Sequence, residues 1–298
     1  MNYFNKFILY IHKFGIDWKL KKILPSKLYR FIFFIYNYLI FAPAWFKNLV
    51  EKNIELKWIW KWKRAFILAT WPSINKDNLK VLSNEDCFSV SNFFLHNDIN
   101  IINPKFHFFA PYHKPLILEN YVEWLKQADK ILPKNTNIFL WHTTKELVDK
   151  YKLFPNRKIF YLYLTPFSYK YNFNITRPVL SPRTWPQMII PVLMYMWYKE
   201  IYLLWCDHNT LKTYWAERKD FYDRDKDVRE NAADKNSRMW NIIEFMEAIL
   251  NTFKQYNIYK KMAEKNKTII INLSEESWLD VFPKNKLNHI INGKLSYK

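Results

Sequence analysis

The sequence predicts an α/β protein: a single Rossmann-like domain with a mainly parallel sheet and helices on both faces, preceded by a helical arm. Two observations support this prediction. From Arg64 onward, short apolar runs alternate with longer stretches of helical periodicity, as in chains that build parallel sheets. The 298 residues are 50% apolar and 24% charged, which suits a globular chain large enough for one substantial core. We therefore expect an arm over residues 1–63 and the α/β domain over residues 64–298.

The predicted elements follow one another with short connections. Apolar runs of strand length, rich in Ile, Phe, Tyr and Val, fall at 65–69, 87–90, 106–110, 137–140, 158–163, 201–204 and 268–272. Helical periodicity covers 119–127, 144–151, 186–197 and 237–265. The stretch 220–234 is the most charged and least apolar part of the chain, and it is predicted to be a mobile loop or lid.

The arm is basic and aromatic, which indicates an anionic partner. Residues 1–64 hold 13 Lys and Arg against three Asp and Glu, in a chain of net charge +19. The longest uncharged run, 31–46, has 16 residues, short of the ~20 that span a bilayer. We expect residues 1–53 to lie on the anionic inner membrane face, which would make the protein cytoplasmic and peripheral. The alternative is a helical arm packed on the domain.

Three further features bear on compartment and partner. No small-residue cleavage site follows the N-terminal apolar runs, so no signal peptide is predicted. Cys87 and Cys206 form no disulfide or metal pattern, which fits a reducing cytosol. The charge also admits a non-enzymatic, RNA-binding protein. Nine of the 19 surplus positive charges lie in residues 1–63, outside the predicted domain, however, and no RNA-binding motif is present, so no nucleic-acid partner is expected.

The usage of glycine and tryptophan is abnormal. Glycine occurs only at Gly15 and Gly293, whereas average usage would give roughly 20 in this length, and tryptophan occurs 14 times. An α/β domain needs glycine at turns of positive φ and where the backbone approaches a ligand closely. A fold of this size with two glycines is therefore physically odd.

Three segments carry a resemblance to known enzymes. The first, 66–94, reads FILATWPSINKDNLKVLSNEDCFSVSNFF: a strand, a turn ending Pro-Ser, and a second strand ending at Asn92. The second, 177–209, ends WYKEIYLLWCDHN, and the third, 267–284, reads KTIIINLSEESWLDVFPK. In this order they resemble the bacterial sialyltransferases of glycosyltransferase family 42, whose fold is GT-A-like. They are also similar to uncharacterised surface-polysaccharide proteins and to archaeal hydroxymethylpterin diphosphokinase-like proteins. The resemblance covers about residues 64–290.

The resemblance implies a glycosyltransferase that moves a sugar, sialic-acid-like or other, from a nucleotide sugar to a cell-surface glycan or glycolipid. It implies metal-independent, inverting displacement with no cofactor besides the donor substrate. The alternative is a diphosphokinase of the hydroxymethylpterin type, which uses ATP and Mg²⁺. The basic arm favours the transferase. The spacing Asp223-Arg224-Asp225 lies in the charged loop rather than after an apolar strand, so no metal ligands are predicted.

In those families glycine occupies three positions that are Trp71, Trp197 and Trp205 here: the first turn, the helix end before YKEIYL and the end of the next strand. A large side chain at such a site overpacks it and typically costs about 1–3 kcal/mol. Some bacterial lineages read the codon UGA as glycine, and we interpret these tryptophans as glycines encoded by UGA. Converting most tryptophans, including those of the lead-in KWIWKWK (57–63), would raise glycine to about 5%. The alternative is a genuinely tryptophan-rich protein with a blocked site.

Nucleotide-binding candidates follow the predicted strands. A strand followed by a glycine-bearing turn lets backbone N–H groups face a phosphate, which predicts that role for the turn Thr70, Trp71, Pro72 and Ser73. Ser73 has a structural alternative as a helix N-cap. The resemblance implies that Asn92 contacts the nucleotide or donor sugar; alternatively it caps a turn. Three residues follow the strand 201–204, where open α/β sheets place ligands: Asp207, His208 and Asn209.

Candidates for the chemistry lie further along the chain. Inverting transfer needs a general base, and the resembled transferases use a His followed by Tyr in the loop after the Asp-bearing strand. Asp220 takes the place of that His here, so Asp220 is the predicted general base. Tyr222 is predicted to donate a hydrogen bond to the phosphate or leaving group. Alternatively, the loop 220–234 is merely a solvated charged segment. His208 is predicted to orient the donor or bind phosphate; alternatively it is a structural histidine. The remaining nucleotide-binding candidates carry hydroxyl or guanidinium donors: Arg183, Thr184, Ser274 and Ser277. The alternative for Arg183 is a surface ion pair.

Overall fold

The computed structural model describes residues 44–59, 63–113, 116–165, 173–214, 221–229 and 241–293, together with the single positions 25, 28 and 31. In these residues seven strands build one parallel sheet and two short strands pair separately. The strands are β1 (Arg64–Leu68), β2 (Asp86–Val90), β3 (Phe106–Phe108), β4 (Asn137–Trp141), β5 (Ile159–Leu162), β6 (Leu164–Thr165), β7 (Val179–Leu180), β8 (Glu200–Leu204) and β9 (Ile269–Asn272). The helices are α1 (Ala44–Glu51), α2 (Ile99–Ile102), α3 (Leu118–Ile131), α4 (Lys145–Tyr151), α5 (Trp185–Tyr195), α6 (Ile242–Asn266) and α7 (Leu287–Ile291).

The order of the main sheet is β5-β4-β3-β2-β1-β8-β9, and every neighbouring pair is parallel. The predicted α/β class with a mainly parallel sheet is therefore confirmed. Each of the seven predicted strands overlaps one strand of this sheet. From β1 the chain builds outward to β5 on one side, and then returns to place β8 on the other side of β1. The direction of winding thus reverses between β1 and β8.

Both faces of the sheet are buried, because apolar residues continue through successive positions of each central strand. In β1 the side chains of Phe66 and Leu68 enter one core, and those of Ala65 and Ile67 enter the other. Helix α3 covers the first face, and helices α5 and α6 cover the second. Two-sided burial explains why the strands read as apolar runs rather than as alternating patterns.

The residues just before the sheet pack against it. Val50 and Asn53 are fully buried and Leu56 is nearly so. The Asn53 side-chain amide donates to the carbonyl oxygens of Tyr161 and Ile175, both at 2.8 Å. Residues 44–56 therefore behave as part of the α/β body, while the division at residue 63 stays a prediction. Residues 1–43 lie outside the described residues, apart from the three single positions. No helix of the described part is both long and apolar enough to cross a membrane.

Replacing Asn53 by alanine should destabilise the fold by about 2–3 kcal/mol, because two buried carbonyl groups lose their donors. The measurement is the free energy of unfolding in urea. The matched control is Asn100→Ala, an exposed asparagine of helix α2, which should change stability by less than about 0.5 kcal/mol. Equal effects of the two substitutions would contradict this account of the contact between residues 44–56 and the sheet.

Candidate functional site

The strand order places the candidate site at the carboxyl ends of β1 and β8. Open α/β sheets bind ligands where the winding direction reverses, because the loops after the two strands separate there and leave a crevice. The register aligns Leu68 with Leu204, so the segments that follow the two strands start side by side. These segments hold the two groups of candidates that sequence analysis placed after strands, 70–73 and 207–209.

A hydrogen bond joins the two segments. A 3₁₀ turn, Pro72–Lys76, follows β1, and its Ser73 Oγ donates to Asp207 Oδ1 at 2.6 Å. Asp207 is 3% exposed, and this burial raises its pKa although the contact with Ser73 acts in the opposite direction. The turn therefore presents a hydroxyl donor to the carboxyl group of Asp207.

His208 is buried beside this pair in an unusual backbone conformation. Its φ is 49°, in the left-handed region, which turns the side chain away from the direction of the strand. The Nε2 atom shares a hydrogen bond of 2.9 Å with the hydroxyl of Tyr256, which in turn contacts Thr184 Oγ1 at 3.1 Å. Burial lowers the pKa of His208 to about 4, so its imidazole is neutral near pH 7. The Trp71 ring lies 5.4 Å from the imidazole, centroid to centroid.

A second polar cluster forms where β2 ends. The side-chain amide of Asn92 donates to the Tyr222 hydroxyl and to Asp227 Oδ2, both at 2.5 Å, and its oxygen accepts from Trp124 Nε1 at 2.7 Å. Tyr222 also donates to Asp227 Oδ2 at 2.9 Å, and Arg229 pairs with the same carboxylate at 3.0 Å. The predicted residues Asn92 and Tyr222 are therefore in contact. The same hydrogen bonds hold the described part of the charged loop, residues 221–229, against the end of β2.

The carboxylate of Asp227 is held ionised. Burial favours its neutral form, but the hydrogen bonds and charge of Arg229 outweigh burial, and the pKa is lowered. A carboxylate whose pKa is lower in the folded state stabilises the fold above its ordinary pKa near 4. That contribution is lost as the pH falls through the folded pKa.

We therefore expect Asp227→Asn to cost about 2 kcal/mol of folding free energy at pH 7, and clearly less at pH 3, where the carboxylate of the unfolded chain, with its ordinary pKa near 4, is already largely protonated. Urea unfolding at the two pH values measures both numbers. The control is Asp223→Asn, an exposed carboxylate of the same loop, for which no cost is expected at either pH. A cost that is the same at pH 3 and pH 7 would show that the charge of Asp227 is not what stabilises the loop.

Two predicted residues hold the end of β8 in place. The Cys206 N–H donates to Ser274 Oγ at 2.7 Å, and Ser277 Oγ donates to the Cys206 carbonyl at 2.6 Å. Both serines are almost fully buried. The structure thus gives Ser274 and Ser277 a supporting role for the strand end, and nucleotide binding by them stays a prediction.

Three further candidates are not drawn into the clusters. Asp220, the predicted base, lies outside the described residues. Arg183 is exposed just before α5, where its backbone N–H donates to Gln187 Oε1 at 3.0 Å. Asn209 is half-buried and its carbonyl accepts from the Lys212 N–H at 2.9 Å, which starts a 3₁₀ turn. The predicted roles of all three stay predictions.

The three tryptophans that sequence analysis interprets as glycines differ from one another in backbone conformation. Trp197 and Trp205 have φ of 73° and 53°, in the left-handed region that favours glycine. Trp71 has φ −85° and ψ 153°, ordinary extended backbone, so the conformation of the first turn does not itself require glycine. Trp205 is buried at the carboxyl edge, and its indole N–H donates to Asp77 Oδ2 at 2.8 Å.

A cavity of about 620 Å³ opens at the opposite, amino edge of the sheet. Two of its lining lysines are paired with its own carboxylates: Lys158 with Glu55 and Lys105 with Asp86, each at 2.7 Å. Paired charges leave little attraction for an anionic ligand. We therefore place the candidate site at the carboxyl edge, where part of the space is filled by indole rings. Among the described residues, no group of three His, Cys, Asp or Glu side chains could hold a metal ion.

Comparison with protein families, with curated proteins and with solved structures finds no match to this chain. The assignment of a function therefore depends on the site itself.

Sequence analysis missed several residues that complete the two clusters. Tyr256 comes from helix α6, for which sequence analysis predicted only helical structure; Trp124 comes from α3, and Asp227 and Arg229 come from the charged loop. A signal was present in the loop, because Asp and Arg two residues apart can form one ion pair. No comparable signal marks Tyr256, whose hydroxyl meets His208 only through packing of α6 on the sheet.

Proposed function

We propose that the protein is a glycosyltransferase that moves a sugar from a nucleotide donor to a cell-surface glycan or glycolipid. One observation carries the proposal: polar groups converge at the carboxyl ends of β1 and β8, where the winding of the sheet reverses. The nucleotide-binding α/β sheets use this position for phosphate and sugar recognition. The order of the three motifs in the sequence supports the same class of enzyme.

The donor phosphate is proposed to bind at the turn 70–73. The Ser73 Oγ–H already donates to the carboxyl group of Asp207, so it has the geometry to bind a phosphate oxygen. Lys76 follows in the same 3₁₀ turn; its ammonium pairs with Glu276 and also lies near Asp207. When phosphate takes the place of its carboxylate, Asp207 becomes free to accept a hydroxyl of the ribose or of the sugar.

The chemistry is proposed to proceed by direct displacement at the anomeric carbon. Asp220 removes the proton from the acceptor hydroxyl as that oxygen bonds to the anomeric carbon and the bond to the nucleotide phosphate breaks. Tyr222 turns its hydroxyl proton from Asp227 to the departing phosphate, and His208, neutral near pH 7, holds the donor by hydrogen bonding rather than by charge. No cofactor takes part in these steps.

The proposed setting is the cytoplasmic face of the inner membrane, where a glycolipid acceptor would be presented. The basic arm supports this proposal through its attraction to anionic lipid. Because residues 44–56 pack against the sheet, the proposed membrane contact falls on the part of the arm that precedes residue 44.

The test is the thermal unfolding of the full chain carrying Trp71→Gly, Trp197→Gly and Trp205→Gly, with CMP, UDP, GDP, or ATP and Mg²⁺ added. A bound nucleotide at 100 times its dissociation constant stabilises a protein by about 2.7 kcal/mol, so we expect one of the first three nucleotides to raise the unfolding midpoint by several degrees. No shift with any nucleotide would contradict the proposal. A shift that appears only with ATP and Mg²⁺ would replace it with the diphosphokinase.

A further inference from the structure

Three tryptophans of this chain have a backbone conformation that tryptophan rarely adopts. The φ angles are 61° for Trp58, 73° for Trp197 and 53° for Trp205. Only a few per cent of non-glycine residues have positive φ, and a bulky side chain there is a genuine outlier. Of the described residues with positive φ other than glycine, one third are tryptophan. Steric strain of this kind is relieved by the loss of the Cβ atom, as in glycine.

At Trp197 the hydrogen bonds show which residue the backbone favours. Helix α5 ends there with the Tyr198 N–H bonded to the Leu193 carbonyl and the Trp197 N–H bonded to the Met194 carbonyl, both at 3.1 Å. This pair of bonds is the Schellman motif, whose left-handed residue is usually glycine. Lysine occupies the equivalent place after α6, at Lys267, so a side chain is tolerated there at a cost.

The indoles of Trp58 and Trp197 do not compensate for that strain by filling the core. They contact each other at 5.6 Å between centroids, and Trp58 is 47% exposed. Trp124 provides the contrast: it lies inside helix α3, is 1% exposed, contacts Phe109 edge to face at 4.9 Å and donates to Asn92. Trp124 has the surroundings of a natural tryptophan, and the other two do not.

We infer that residues 58, 197 and 205 are glycine in the natural polypeptide, and that the space filled here by the Trp205 indole is a pocket for a planar heterocycle. The first part is independent of the proposed function; the second part rests on it and names the feature of the donor that this space would recognise.

The surroundings of Trp205 define the ligand. Its indole stacks on Phe93, with centroids 6.2 Å apart and planes 20° apart, and donates its N–H to Asp77 Oδ2 at 2.8 Å. With glycine at 205, the Phe93 ring and the Asp77 carboxylate acceptor border the space that the indole fills. A flat ring that carries an N–H donor, such as a nucleobase with an exocyclic amino group, satisfies both.

Peptide mass spectrometry of the protein purified from its source cells tests the first part. We expect glycine at 58, 197 and 205 and tryptophan at 124 in the same digest. Tryptophan at any one of the three positions overturns the inference. The readout does not involve a ligand, so it is unaffected if the proposed function fails.

Thermal unfolding of the full chain gives a second test. Trp58→Gly combined with Trp197→Gly should raise the unfolding midpoint by roughly 2 °C, because two strained residues are relieved. The matched control is Trp278→Gly, a tryptophan that is also 47% exposed but lacks a positive φ, and this change should lower the midpoint. A lower midpoint for the double variant contradicts the inference.

Nucleoside binding tests the pocket. Calorimetric titration of Trp205→Gly with cytidine, adenosine and guanosine should detect binding of at least one of them, and Asp77→Asn in the same background should weaken that binding about tenfold. The control, Asp280→Asn at an exposed carboxylate, should leave it unchanged. The inferred pocket is contradicted if Asp77→Asn leaves nucleoside binding unchanged, or if no nucleoside binds to Trp205→Gly. If nucleotides still stabilise the chain in that case, the proposed function survives without the pocket.

Discussion

Lowering the pH from 7 to 4 should cost the fold roughly 3 kcal/mol through His208 alone. Burial lowers the pKa of this histidine to about 4 in the folded state, against about 6.5 when unfolded. The unfolded chain therefore binds a proton in this pH range that the folded chain does not, so stability falls as the pH falls. The contribution is fully present above pH 6.5 and is lost progressively toward pH 4.

The measurement is the free energy of unfolding in urea across this pH range, for the wild-type chain and for His208→Gln. The variant has no ionisable group at this position, so its stability should fall by about 3 kcal/mol less between pH 7 and pH 4. His107, whose pKa burial lowers to about 3, is present in both chains and cancels in the comparison. The control is His113→Gln at an exposed histidine, which should follow the wild type. If the free energy of unfolding of wild type and of His208→Gln changed equally with pH, His208 would not be held neutral in the folded chain.

Replacing Asp220 by asparagine should reduce sugar transfer by about 10²- to 10⁴-fold, the range that a general base contributes. The asparagine side chain cannot accept the proton of the acceptor hydroxyl, whereas donor binding does not need the charge. The measurement is nucleotide release from the nucleotide sugar selected by the binding test, with kcat and KM determined separately. We expect the loss in kcat.

The control for this prediction is Asp225→Asn, an exposed carboxylate of the same charged loop, which should retain transfer within about twofold. A kcat for Asp220→Asn close to that of the wild type would remove Asp220 as the base. Among the described carboxylates at the same edge, Asp207 would then be the next to test, because its pKa is raised and it lies beside Ser73.

The sheet could be predicted from the sequence because each of its strands is buried on both faces and reads as an apolar run. Runs such as 201–204 show no helical periodicity that would favour a helix instead. Each predicted strand overlaps a strand of the main sheet, in the same order along the chain. Helix α1 lies within the predicted helical arm, but the choice between membrane contact and packing on the domain stayed open, because the contacts that decide it are long-range: only the distant carbonyls of Tyr161 and Ile175 explain the burial of Asn53. Helix α6 begins at Ile242, because Asn241 provides the N-cap by accepting from the Glu244 N–H; residues 237–240 of the predicted helix lie outside the described residues.

The candidate site could be predicted in part, since its residues follow strands directly. Ser73 and Asp207 lie in the segments that follow the neighbouring strands β1 and β8. Their contact can therefore be predicted once the sheet order is known. The partners of His208 and Asn92 could not be predicted, because Tyr256 and Trp124 reach them from helices whose rotation on the sheet is set by packing. The composition also contained information: with only two glycines in the chain, some positions of positive φ had to be occupied by other residues, and three of them are tryptophan.

Hydrogen–deuterium exchange with and without CMP, UDP or GDP tests the location of the site most directly. The full chain carrying glycine at positions 71, 197 and 205 should show slowed exchange in peptides covering 69–77 and 204–209 when the nucleotide that binds is present. Peptides covering 83–86, at the amino-edge cavity, should exchange at the same rate in both samples. Protection confined to the amino edge, or absent from 69–77 and 204–209, would contradict the account.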